Sequence, residues 1–241
     1  MRNSTVGIRP MSATTGALIS GVDLRQPIDD RTYREIRNAL NEHCVIFFRD
    51  QDLTPEEQLA FAERFGLIHY SVHSQSVSER YPYILEIRKE AEETRNIGGN
   101  WHTDHPFQDR PPLGSILLAK ELPPFGGDTL FASMYHAYET LSDGMKKMLS
   151  GMSAVHSKLQ AFKGDKKAER QVSPQRMAEL EVELKDAYAV HPVTPTHPES
   201  GRKVLFVNET YTVRFDGWTV EESRPLLEHL FKHASKPENT C

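Results

Sequence analysis

The sequence is poor in the features that define several functional classes. It holds two cysteines, Cys44 and Cys241, so no disulfide framework is available and a reducing compartment is expected. No apolar run approaches the ~20 residues that span a bilayer. The start, Met1-Arg2-Asn3-Ser4-Thr5, lacks the apolar stretch of a secretory signal. Basic residues are not in excess, since 29 Lys+Arg stand against 34 Asp+Glu for a formal charge of −5. A nucleic-acid-binding surface normally carries a basic excess or stripe, so that class is excluded. The expectation is a cytoplasmic globular protein with no nucleic-acid or membrane partner.

What is present suffices for a folded core. The chain of 241 residues is 38% hydrophobic and 26% charged, which rules out wholesale disorder. No repeat, low-complexity tract or long linker divides it, so a single domain over 1–241 is expected. Short apolar runs alternate with capped helices, which reads as a mixed α/β or α+β domain.

Tyr33, Ile36 and Leu40 recur at helical spacing after Asp29 and Asp30, either of which suits an N-cap. The run Cys44-Val45-Ile46-Phe47-Phe48 has strand length. Thr54-Pro55-Glu56-Glu57 and Thr219-Val220-Glu221-Glu222 are capping boxes. Pro225 inside the second of these helices predicts a kink or a late start. Ser133 to Leu141, Ser142 to Leu149 and Ser173 to Lys185 read as helices. Tyr83 to Ile87, Ser115 to Ala119, Thr129 to Phe131 and Lys203 to Val207 read as strands. Lys163 to Arg170 is charged enough to be a solvated loop.

The segment Gly98-Gly99-Asn100-Trp101-His102-Thr103-Asp104-His105-Pro106-Phe107 carries the chemistry. On an extended backbone, residues i and i+2 point to one face, so the His102 imidazole and the Asp104 carboxylate converge. Such a pair supplies two legs of a facial triad of two histidines and one carboxylate, which leaves coordination positions open on Fe(II). The same spacing also occurs in histidines that are merely surface-exposed or hydrogen-bonded, so the neighbouring motifs decide.

Those motifs are Pro111-Pro112-Leu113-Gly114-Ser115-Ile116-Leu117 and Pro124-Phe125-Gly126-Gly127-Asp128-Thr129-Leu130-Phe131, followed by His191-Pro192-Val193, Thr196-His197-Pro198 and Leu205-Phe206-Val207-Asn208-Glu209. Together with the His-x-Asp segment, the order and wording resemble the TauD/TfdA family of Fe(II)- and 2-oxoglutarate-dependent dioxygenases across nearly the whole chain. The resemblance implies an α+β fold built on a double-stranded β-helix (a cupin-like jelly roll) with flanking helices. It makes His102 and Asp104 iron ligands and matches Thr129 to a threonine that hydrogen-bonds the distal carboxylate of 2-oxoglutarate. His69, Asn100, Trp101 and Phe206 fall at positions facing the substrate. The implied reaction hydroxylates a small organic acid (sulfonate, sulfate ester or aryloxy acid) with dioxygen, while 2-oxoglutarate is decarboxylated to succinate. A homo-oligomer is compatible with it.

The family pattern also contains a later Trp-Asp-Asn-Arg-like segment, a distal iron-binding histidine and an arginine for 2-oxoglutarate. Here the text after Phe231-Lys232-His233 reads Ala234-Ser235-Lys236-Pro237-Glu238-Asn239-Thr240-Cys241. The closing C-terminal strands of the barrel, the third ligand and that arginine are therefore expected to be missing. No substitute histidine is evident. His191 and His197 sit in His-Pro dipeptides that match non-ligand positions, and His136 and His156 have no supporting pattern. His229 and His233, at i and i+4, read as a solvated helix face. Two other readings remain open: a non-catalytic binding protein or inactive fragment on the same barrel, and a zinc hydrolase of cupin-like architecture using His102 and Asp104.

Overall fold

A computed structural model describes residues 6–68, 76–90, 92–93, 98–163 and 173–241. The chain forms two compact units, one of residues 1–99 and 113–131, the other of 100–112 and 132–241.

In the first unit, strand β1 (Gly7–Pro10) pairs antiparallel with β2 (Ala17–Ser20), and β2 pairs parallel with β3 (Ile46–Phe48). Two parallel strands need a crossover, supplied here by helix α1 (Asp30–His43). Asp29 caps α1 by accepting from the Thr32 amide at 2.7 Å. Cys44 ends the helix at φ 67°, an uncommon conformation for a side chain with a Cβ, and its N–H bonds back to Leu40. Helix α2 (Pro55–Glu63) opens with the expected reciprocal box between Thr54 and Glu57. Ile19, Leu24, Ile36, Ala39, Leu53 and Phe61 form this unit's core.

The second unit is built on β4 (Ser153–Ser157), flanked by β5 (Tyr188–Pro192) and β6 (Thr212–Phe215), both antiparallel to it. Helices α3 (Met134–Glu139), α4 (Asp143–Leu149), α5 (Gln160–Lys163), α6 (Pro174–Glu183) and α7 (Val220–Ala234) accompany the sheet. Ser133, Ser142, Ser173 and Thr219 each cap the helix that follows by accepting a backbone N–H. Pro225 lies within α7, which starts directly after its cap, so the late start does not occur. Ala154 and Phe215 are both fully buried and pair across β4 and β6, placing this face of the sheet in the core with Leu149, Leu205 and Leu230.

Several expected strands are not ladders. Tyr83 to Ile87 contributes one isolated bridge, Ser76 to Leu85, and Lys203 to Val207 one, Thr196 to Lys203. Ser115 to Ala119 and Thr129 to Phe131 form no regular ladder among the described residues, with Leu117 and Leu130 over 60% exposed. An apolar alternation marks a chain able to pair, but a strand exists only where a neighbour supplies the ladder. Lys163 closes helix α5, and the rest of the charged stretch, 164–170, lies outside the described residues.

Candidate metal centre

Residues 101–103 carry no regular secondary structure and pair with no strand among the described residues, and the chain bends and turns over Asp104 to Phe107. His105 takes φ 52° in that turn, and Pro106 behind it is fully buried. The i, i+2 spacing performs as expected: His102 Nε2 lies 3.4 Å from Asp104 Oδ1. His102 Nδ1 lies 2.8 Å from the Asn100 carbonyl oxygen. A carbonyl oxygen only accepts, so Nδ1 carries the proton and the neutral ring keeps its lone pair on Nε2, beside the carboxylate.

The same geometry raises the His102 pKa. The Asp104 hydrogen bond is the main cause and the Asn100 carbonyl a lesser one, while burial opposes both. Nε2 and Oδ1 therefore define a point that attracts a cation, whether a proton or a metal ion. This donor set, one imidazole nitrogen and one carboxylate oxygen with the tautomer fixed from behind, fits a divalent iron ion as two of its ligands. Among the described residues no group of three His, Cys, Asp or Glu side chains comes together to hold a metal.

Asn100 supplies that carbonyl, and the Trp101 carbonyl accepts from Thr210 Oγ1 at 3.0 Å. Phe206 is half-buried against two imidazoles, with ring centroids 5.4 Å from His156 and 5.5 Å from His191. Against His102, among the described residues, stands the ring of Tyr211, edge-on at 6.4 Å. Tyr211 also packs on Phe107 at 5.3 Å. Its phenol pKa is raised, first by burial and second by the Asp104 charge. Sequence reasoning missed Tyr211, although Asn208-Glu209-Thr210-Tyr211-Thr212 continues directly from the motif that contains Phe206. Thr129 lies exposed in the first unit, and His69 lies outside the described residues.

Several other described histidines bond elsewhere. His191 Nε2 sits 3.0 Å from the Gln108 carbonyl, and His197 Nδ1 accepts from the Ser200 amide. His136 Nδ1 donates to Asn239 Oδ1 at 2.6 Å. His233 corrects the expectation of a solvated helix face. His229 is exposed, but His233 is 8% exposed and its Nε2 reaches the Ala137 carbonyl at 2.8 Å. The helix packs this side of α7 against α3, which the i, i+4 spacing alone does not reveal.

Comparison with known proteins agrees with the motifs. The family model for the taurine catabolism dioxygenase TauD, TfdA family, matches residues 7–241. An alkylsulfatase of Acinetobacter baylyi is 34% identical over 97% of this chain and 72% of its own length. The alpha-ketoglutarate-dependent 2,4-dichlorophenoxyacetate dioxygenase of Cupriavidus pinatubonensis is 30% identical over 97% of this chain and 84% of its own. The crystal structure of a taurine dioxygenase from Burkholderia xenovorans superposes with a TM-score of 0.79 at 31% identity, covering 99% of this chain and 75% of that one. The chain belongs to the TauD/TfdA family of Fe(II)- and 2-oxoglutarate-dependent non-haem dioxygenases and has that family's jelly-roll fold.

Proposed function

We propose that His102 and Asp104 are two of the iron ligands and that Thr129 hydrogen-bonds the distal carboxylate of 2-oxoglutarate. In this reading His69, Asn100, Trp101 and Phe206, joined by Tyr211, surround a small organic acid of the sulfonate, sulfate-ester or aryloxy type. The observation that carries it is the approach of His102 Nε2 to Asp104 Oδ1 at 3.4 Å, with Nδ1 held by Asn100. The substrate class follows from the relatives, whose names include an alkylsulfatase and a 2,4-dichlorophenoxyacetate dioxygenase.

Held by His102 and Asp104, Fe(II) would supply the redox chemistry by which dioxygen hydroxylates the substrate while 2-oxoglutarate is converted to succinate and carbon dioxide. The protein's share is orientation and exclusion of water. Asn100 holds the Nδ1 proton so that Nε2 is presented as a lone pair. Tyr211, backed by Phe107, sets apolar ring surface edge-on beside His102, which strengthens charge interactions there. The reading includes one dioxygenase domain over 1–241 and a cytoplasmic setting, in keeping with a sequence that holds two cysteines. No helix among the described residues is long and apolar enough to cross a membrane.

The test is succinate formation from 2-oxoglutarate by the purified chain with Fe(II), using a panel of sulfonates, alkyl sulfates and aryloxy acids. His102→Ala and Asp104→Ala are each expected to reduce turnover to the no-enzyme background. Retention of the parental rate by either variant overturns the ligand assignment.

A further inference from the structure

Among the described residues the segment that carries His102 and Asp104 pairs with no strand, yet its two side chains converge to 3.4 Å. Something other than a ladder must fix its backbone. Two side chains from the second unit's sheet region do so. Thr210 Oγ1 donates to the carbonyl of Trp101, one residue before His102, at 3.0 Å. His191 Nε2 donates to the carbonyl of Gln108, four residues beyond Asp104, also at 3.0 Å.

Both anchors are themselves held. Thr210 sits in a turn closed by Asn208: Asn208 Oδ1 accepts from the Tyr211 amide at 2.9 Å, and the Asn208 amide donates to Thr212 Oγ1 at 2.9 Å. Thr212 Oγ1 lies 3.2 Å from His156 Nδ1 on the central strand β4. His191 pairs with Ala154 across β4 and β5, and its ring is gripped at 88° by Phe206 and at 5.6 Å by His156. Between the two anchors, Phe107 packs on Tyr211.

We propose that Thr210 and His191 are positioning residues, a two-point clamp on the Trp101 and Gln108 carbonyls that sets the separation of His102 and Asp104. Neither side chain touches the point that Nε2 and Oδ1 define; each acts through the backbone. The clamp makes a rigid element from an unpaired loop, which a metal site requires, because an error of about 1 Å in a supporting residue loosens the whole constellation. It also gives His191 a role that is not ligation, since its Nε2 is committed to Gln108. The inference rests on the His102 and Asp104 reading above, and its test separates the two.

Two readouts are taken on the intact chain: the Mn(II) dissociation constant, and the rate of chymotryptic cleavage after Phe107, identified by mass spectrometry. His191→Leu and Thr210→Val remove one anchor each. Both are expected to raise the cleavage rate about tenfold, as loss of one hydrogen bond from a local opening equilibrium predicts. Both should also weaken Mn(II) binding between about 10- and 100-fold, the usual cost of losing a supporting contact. His191→Gln and Thr210→Ser keep a donor at the same place and should restore both values, with melting temperatures of all four variants close to the parent. Parental cleavage and Mn(II) affinity in His191→Leu and Thr210→Val overturn the clamp, as does a loss that the conservative variants fail to rescue. If His102→Ala binds Mn(II) as the parent does, the ligand reading falls, while cleavage after Phe107 still reports whether the segment is pinned.

Discussion

The ring of Tyr211 stands edge-on to the imidazole of His102, their planes 78° apart and their centroids 6.4 Å apart. This contact joins residues more than a hundred positions apart in sequence and puts a phenol beside the proposed metal position.

Tyr211 gives the first prediction. Tyr211→Ala removes the ring that covers His102 and is expected to raise the substrate KM about tenfold or more, since an aromatic wall is worth roughly 1–3 kcal/mol. Tyr211→Phe keeps the ring and should retain most of that affinity. Steady-state kinetics on both variants decide it, and an unchanged KM in Tyr211→Ala removes Tyr211 from the substrate wall.

Thr129 is tested through the co-substrate. Thr129→Ala deletes one hydrogen bond to a carboxylate, and the KM for 2-oxoglutarate should rise about tenfold with a smaller change in kcat. Thr129→Ser should fall between the two. An increase in the KM of the organic acid alone would assign Thr129 elsewhere.

His156 gives the pH dependence. It is fully buried, and burial, reinforced by nearby His191, lowers its pKa to about 3. The unfolded chain takes up that proton near pH 6.5, so between about pH 6.5 and 3 the unfolded state binds more protons than the folded state. The stability due to neutral His156 is complete above pH 6.5 and is lost as pH falls, by at most about 1.4 kcal/mol per pH unit. Urea unfolding at pH 7.5, 6 and 5 measures it. His156→Phe removes the titrating group and should flatten the slope, so its stability difference from the parent changes with pH; an identical slope in parent and variant contradicts the assignment.

Asn239 ties the C-terminal turn to the second unit. Its Nδ2 donates to the carbonyls of His233 at 2.8 Å and Ala234 at 3.2 Å, its Oδ1 accepts from His136, and its backbone carbonyl accepts from Ser133 N–H at 2.8 Å. Asn239→Ala strands the buried ends of α7 and should cost about 1–3 kcal/mol. Calorimetry should show a melting temperature lower by several degrees. An unchanged melting temperature would mean that this turn opens before the unit melts.

Helix starts were legible in the sequence because each is a bond between near neighbours. Asp29 to Thr32, Thr54 to Glu57 and Thr219 to Glu222 all close within three residues. The convergence of His102 and Asp104 was legible for the same reason, being a property of two residues separated by one. The family was readable from the wording and order of several motifs. Tertiary structure decided what short-range rules do not contain: that Tyr211 lies against His102, that His191 holds a carbonyl, and that His233 is buried against α3. Those contacts join residues between about 80 and 110 positions apart, and only the packing of β4, β5, β6 and α7 brings them into range. It also decided which apolar runs became strands, because pairing depends on a neighbour and not on the run itself.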